Sequence, residues 1–111
     1  MNSSLELEVT QLHDEICAGL ADPSRILLLY ELSQSPRNVT ELCANLGMPQ
    51  PLVSRHLKIL RERGMVNTER HGTVIVYSLA NSKIIEALDL LRAAMREIMT
   101  RRAALVEAIP E

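Results

Sequence analysis

Three observations predict a mainly α fold with one small β-hairpin, in the order helix-helix-helix-helix-strand-strand-helix. The run from Asn38 to Tyr77, NVTELCANLGMPQPLVSRHLKILRERGMVNTERHGTVIVY, reads as two short helices followed by a hairpin. Apolar residues at helical spacing flank it on both sides. Of the 111 residues 47% are hydrophobic yet only two are aromatic, so Leu, Ile, Val, Met and Ala build the interior, a composition that suits packed helices. Two helices and a hairpin in this order form a winged helix-turn-helix, and the length suits a single domain, residues 1–111.

The N-terminal helix, residues 1–20, rests on Leu5, Val9, Leu12, Ile16 and Leu20, which recur at helical spacing in an otherwise acidic segment. Residues 33–38 read as a loop. Asn38 followed three residues later by Glu41 is a capping box, so a helix opens at Val39. Its stripe of Val39, Leu42, Cys43 and Leu46 ends at Gly47, which readily takes the left-handed conformation of a helix end. Pro49 and Pro51 suit the first turn of the next helix, where amide groups lack intrahelical partners. Leu52, Val53, Leu57 and Leu60 form its apolar face with Ile59 beside it, and Gly64 stops it. Met65–Glu69 and Thr73–Leu79 are β-rich segments around Arg70, His71 and Gly72. The last helix runs from Ser82, read as its N-cap, to about Ala108, with Ile84, Leu88, Leu91, Met95, Ile98, Leu105 and Ile109 on a near-heptad stripe broken by Arg102. The helix-turn-helix with its wing occupies residues 38–80. The terminal helices, 1–20 and 82–108, have the stripes of dimerisation helices. Intramolecular packing accounts for either stripe alone, but two are harder to bury, so a homodimer through the terminal helices is expected.

Opposite its apolar face the second helix of the motif carries Gln50, Ser54, Arg55 and Lys58, with His56 at the edge. Gln pairs bidentately with adenine, Ser serves base edges or phosphates, and Arg prefers guanine or phosphate oxygens. A solvated helix face is the bland alternative. The hairpin tip, with Arg70, His71 and a permissive Gly72, favours DNA, because a basic tip can reach a minor groove. The formal net charge of −2 argues against a nucleic-acid partner, yet its distribution does not. Residues 1–22 hold five acids and no Lys or Arg, whereas residues 50–72 hold five basic residues against Glu62 and Glu69.

An enzyme is disfavoured. Ser54 and His56, two apart on a helix, diverge by about 200° and make no nucleophile and base pair. No Gly-rich phosphate loop and no His-Glu-x-x-His occurs. A winged helix that binds protein instead would carry apolar residues where Gln50, Ser54 and Arg55 stand. No apolar run approaches the roughly 18 residues of a membrane span, and Met1–Thr10 is unlike a signal peptide, so a cytoplasmic protein with no membrane partner is expected.

Residues 20–80 resemble the ArsR/SmtB family of bacterial winged helix-turn-helix repressors. The likeness lies in Leu20-Ala21-Asp22-Pro23-Ser24-Arg25 leading into Ile26-Leu27-Leu28-Leu29, in Thr40-Glu41-Leu42, in Val53-Ser54-Arg55-His56-Leu57-Lys58-Ile59-Leu60 and in Gly64-Met65-Val66. It implies that the first of these segments opens a helix. It also implies that the second motif helix enters the major groove, with Gln50, Val53, Ser54 and His56 reading bases; Arg55, Lys58 and Arg70 are the phosphate candidates. His71 shares that surface with His56; loss of a proton at pH ~6.5 would weaken phosphate contacts there, but plain contact or solvation is favoured over such a switch. The expected protein is a homodimeric repressor on a palindromic double-stranded DNA operator.

The signal is read less directly. Thr40-Glu41-Leu42-Cys43 matches the start of the family's metal box, whose second cysteine is Asn45 here. With Cys17 and His13, spaced i, i+4 on the N-terminal helix, the resemblance implies an inducer site for a thiophilic metal or metalloid ion, Zn, Cd or As, which DNA binding itself does not require. Trivalent arsenic would want a third thiolate. The family's other site, built of Asp and His on the last helix, is rejected because residues 82–108 hold Asp89 but no His. Two further readings of the cysteines stand beside this one. They are small buried hydrophobes in an ArsR-type repressor with no metal site, or partners in thiol-redox or reactive-sulfur chemistry. A structural disulfide is not expected in a cytosolic protein.

Overall fold

Asn38 opens a helix as its neighbours require. In the computed structural model, which describes residues 3–108, the Asn38 side chain accepts from the Glu41 amide at 2.8 Å and the Glu41 carboxylate accepts from the Asn38 amide at 2.9 Å. This reciprocal cap starts the fourth element of the chain. A long N-terminal helix, α1, runs through Ser3–Gln11, a π-helical stretch Leu12–Cys17 and Ala18–Leu20. Then come α2 (Pro23–Gln34), β1 (Arg37–Asn38), α3 (Val39–Leu46), α4 (Gln50–Glu62), the hairpin of β2 (Val66–His71) and β3 (Val74–Leu79), and α5 (Lys83–Ala108). Gly47 takes φ 64° after α3, and Pro49 and Pro51 sit at the start of α4.

Two expectations change. Residues 33–38 are not all loop, because Arg37 and Asn38 pair with Tyr77 and Val76, which makes a three-stranded antiparallel sheet in the order β1-β3-β2. A two-residue strand is too short to show alternation in sequence. The side-chain cap of α5 is Asn81 rather than Ser82: its Oδ1 accepts from the Lys83 amide at 2.9 Å, the two-residue reach of an Asx turn.

The core joins Leu28, Leu29 and Leu32 of α2, Leu42 of α3, Val53, Leu57 and Leu60 of α4, and Met65, Val66 and Leu88. All the helix-turn-helix therefore packs on α2. The first turns of α5 dock on it through Ile84, Ile85 and Leu88. Tyr30 of α2 donates to Asp89 at 2.6 Å, and the Arg92 guanidinium lies 5.2 Å over the Tyr30 ring. Beyond Leu88 the helix leaves the core, and Leu91, Met95, Ile98 and Leu105 of the expected stripe stay exposed. Ile109 lies outside the described residues.

The stripe of α1 is split. The Ala18 amide bonds to the His13 carbonyl, five residues back, and one extra residue in a turn offsets the faces on either side by about 100°. Ile16 and Leu20 pack on the core, whereas Leu5, Val9 and Leu12 are 53%, 51% and 51% exposed. No helix among the described residues is long and apolar enough to cross a membrane.

Candidate nucleic-acid interface

The spacing of Val53, His56, Leu57 and Leu60 at i, i+3, i+4 and i+7 makes them one face of α4, and all four are buried. That anchorage turns Gln50, Ser54, Arg55 and Lys58 outward, where each is exposed. Arg61, three residues past Lys58, shares the face; helical spacing alone would have added it to the expected contacts. Two expected base readers are thereby corrected. Val53 has no exposed surface, and His56, only 5% exposed, points into the protein.

A polar ring in a core needs partners, and His56 has them. Arg25 Nη1 lies 3.2 Å from His56 Nδ1, and Asp22 Oδ1 lies 4.0 Å from Nε2. Arg25 also donates through Nε to the Gly19 carbonyl at 2.7 Å and through Nη2 to the Ala18 carbonyl at 3.4 Å. Asp22 is the N-cap of α2 and accepts from the Ser24 amide at 2.8 Å. That backbone bond, with smaller contributions from the charges of His56 and Arg25, lowers its carboxyl pKa against the opposing effect of burial.

At the other end of α4, Arg63 reaches back to α1 and donates to the Asp14 and Glu15 carbonyls. It belongs to the excess of basic residues counted over 50–72 but is committed to the fold. Arg55, Arg61 and Arg70 have no ion pair among the described residues, while Lys58 lies 4.0 Å from Glu62. The wing carries Arg70 and His71 at its exposed tip, His71 being 3.4 Å from Glu69. The strands join through Gly72 and Thr73, and only Gly72 takes a positive φ (67°), which a two-residue hairpin needs there and glycine tolerates.

The expected inducer residues are scattered. Cys17 and His13 are exposed, and His13 Nδ1 is 3.0 Å from Asp14 Oδ1; both lie in the π-helical stretch, where the α-helical i, i+4 alignment no longer holds. Cys43 is half-buried against the core, and both cysteines are free thiols. Asn45 donates to Glu31 at 2.8 Å, and Asp89 serves Tyr30 and Arg92.

Comparison with known proteins agrees with this architecture. The model of the bacterial regulatory protein, arsR family, matches residues 22–68. The biofilm growth-associated repressor of Agrobacterium fabrum is 42% identical over 81 residues, covering 70% of this chain and 69% of that protein. The chain belongs to the ArsR family. Another family relative, the HTH-type transcriptional repressor SmtB of Mycobacterium tuberculosis, is 45% identical over 74 residues, which cover 67% of this chain; the match spans 55% of the SmtB length. The crystal structure of M. tuberculosis Rv0081 superposes with a TM-score of 0.73 at 28% identity, over 93% of this chain and 99% of that one. A regulatory family agrees with the rejection of an enzyme. As an ArsR protein this chain departs from the metal box, since the residue at its second position, Asn45, is a hydrogen-bond partner of Glu31. No group of three His, Cys, Asp or Glu side chains among the described residues is placed to hold a metal ion, so one protomer does not fit a resident ion at Cys17, Cys43 and His13.

Proposed function

We propose that this chain is a sequence-specific DNA-binding transcriptional repressor that works in the bacterial cytoplasm as a homodimer. The observation that carries the proposal is the division of α4: four buried side chains fix one face, and Gln50, Ser54, Arg55, Lys58 and Arg61 are exposed on the other. In this reading α4 lies in the major groove, with Gln50 and Ser54 at base edges, and Arg55, Lys58, Arg61 and the wing's Arg70 and His71 at phosphates. A two-fold dimer would read a palindromic operator whose half-sites are about one helical turn apart. The apolar residues left uncovered on α1 and α5 support the dimer.

The test is selection of duplexes from a random DNA library by the full chain, followed by affinity measurements with variants. Gln50→Ala with Ser54→Ala should weaken binding and relax base preference at the positions these side chains read, by about 1–3 kcal/mol for each bidentate hydrogen-bonded pair removed. Unchanged affinity and preference in that double variant would remove α4 as the reader.

For the signal, release by a thiophilic ion rests on the likeness of Thr40–Cys43 to the family's metal box and requires ligands from two protomers. Titration of the reduced protein on its selected duplex with Zn(II), Cd(II), As(III) and polysulfide, repeated with Cys43→Ser, separates ion from sulfur chemistry. Release that survives the substitution rejects both.

A further inference from the structure

His56 is the one buried polar side chain among the described residues, and it sits on the helix assigned to DNA. A guanidinium has donors only and keeps its charge. Arg25, 3.2 Å away, therefore fixes Nδ1 of the ring as an acceptor and leaves the ring proton on Nε2, which faces Asp22. Arg25 is anchored outside α4, on the Gly19 and Ala18 carbonyls at the end of α1. One hydrogen bond thus ties the inner face of α4 to the junction of α1 and α2.

We propose that Arg25 and His56 are positioning residues for operator binding: their joint holds α4 at the angle at which Gln50, Ser54 and Arg55 meet DNA, and a second proton on His56 opens the joint and weakens the complex. The proposal rests on the DNA-binding reading above. Protonation of Nδ1 sets donor against donor and cation beside cation at 3.2 Å, and the Asp22 carboxylate, 4.0 Å from Nε2, offsets this only from the longer distance. The charged groups that face the ring come from α2 and its cap, Arg25 and Asp22. Among the other elements packed around α4, Asp14 and Glu15 of α1, Glu41 of α3, and Glu69 and Arg70 of β2 are exposed and make no hydrogen bond or ion pair with it, and Cys43 of α3 is a half-buried thiol.

Linkage sets the sign and the ceiling. A complex that requires the neutral ring loses affinity as pH falls, by at most about tenfold per pH unit for each protomer. His71 works in the opposite sense, since a proton on the wing adds charge beside phosphate, so His71→Gln is the background for the measurement.

Affinity for a duplex selected by the full chain is measured from about pH 7.5 down to about pH 5.5, the range over which imidazoles titrate. His71→Gln should lose at least threefold in affinity across that range. Adding His56→Asn, whose Oδ1 offers Arg25 an acceptor that does not titrate, should flatten the profile. A flat profile in His71→Gln, or the same acid loss in the double variant, overturns the proposal. Nitrogen-15 spectra of the imidazole rings need no variant and no DNA: Nδ1 of His56 should show a pyridine-type shift at about pH 7.5, and a protonated Nδ1 there overturns the joint. Failure to select any duplex, with Nδ1 an acceptor as expected, strikes the DNA reading and leaves the joint itself standing.

Discussion

Leu57 and Lys58 are chain neighbours with opposite duties. Leu57 has no exposed surface, whereas the Lys58 side chain is 78% exposed and 4.0 Å from Glu62. Truncating Leu57 to Ala leaves a hole where α2, α3 and α4 meet and should cost about 2–5 kcal/mol in urea unfolding. Lys58→Ala should leave stability within about 0.5 kcal/mol, because an exposed i, i+4 pair contributes little. The same change should reduce the slope of log affinity against log salt by about 1 in DNA titrations. Asp22 gives a pH-dependent case. Its carboxyl titrates below the ordinary 3.8 in the folded chain, chiefly because of the Ser24 amide. A lowered folded value means the stabilisation is complete above the unfolded value and is lost as pH falls through the folded one. Asp22→Asn keeps a capping side chain without the charge, so its thermal stability should fall less steeply than that of the wild type below about pH 4.

At the level of elements, chemistry that acts over three or four residues was readable and chemistry that acts across the chain was not. The Asn38 and Glu41 cap, the stop at Gly47, the proline start of α4 and the Gly72 turn all follow from neighbouring residues, and each stands where the sequence puts it. Asn38→Ala removes one half of that cap and should lower stability by about 0.5–2 kcal/mol, measured by thermal unfolding. His56 shows the other case. It lies at the boundary of the α4 stripe, and nothing within a few residues of it reveals that Arg25, 31 positions earlier, completes its hydrogen bonding. Arg63 is misjudged for the same reason, since its carbonyl partners lie on α1. The exposure of Gln50, Ser54, Arg55, Lys58 and Arg70 in the candidate interface was legible because a helix and a hairpin each have a free side that periodicity identifies.

For the molecule as a whole, the radius of gyration is 17.8 Å, against about 13 Å for a compact chain of this length. The excess comes from α1 and α5, which extend past the core with their apolar residues uncovered. An exposed patch of that kind on both terminal helices marks an interaction surface. Leu91, 62% exposed, lies on the α5 part of it. Leu91→Glu should shift the protein toward monomer in sedimentation equilibrium and leave the core intact, as judged by circular dichroism. Weakened DNA binding should accompany the loss, since a monomer presents one copy of α4 instead of two.

The π-helical turn of α1 bears on what changes in length this chain can absorb. In an ordinary helix the loss of one residue puts every side chain upstream of it out of phase with its packing. Between Leu12 and Cys17 the turn already holds one residue more than an α-helix needs, and Ile16, Leu20 and the arginine contacts anchor the helix from its middle onward. Deleting His13 should therefore close the turn into regular α-helix with the helix-turn-helix and the Arg63 contacts undisturbed, while Leu5, Val9 and Leu12 swing by about 100° around the helix axis. A chain so shortened should unfold near the wild-type temperature yet associate poorly, which paired thermal and sedimentation measurements would reveal. One surplus residue sets the direction in which the N-terminal face of the protein looks.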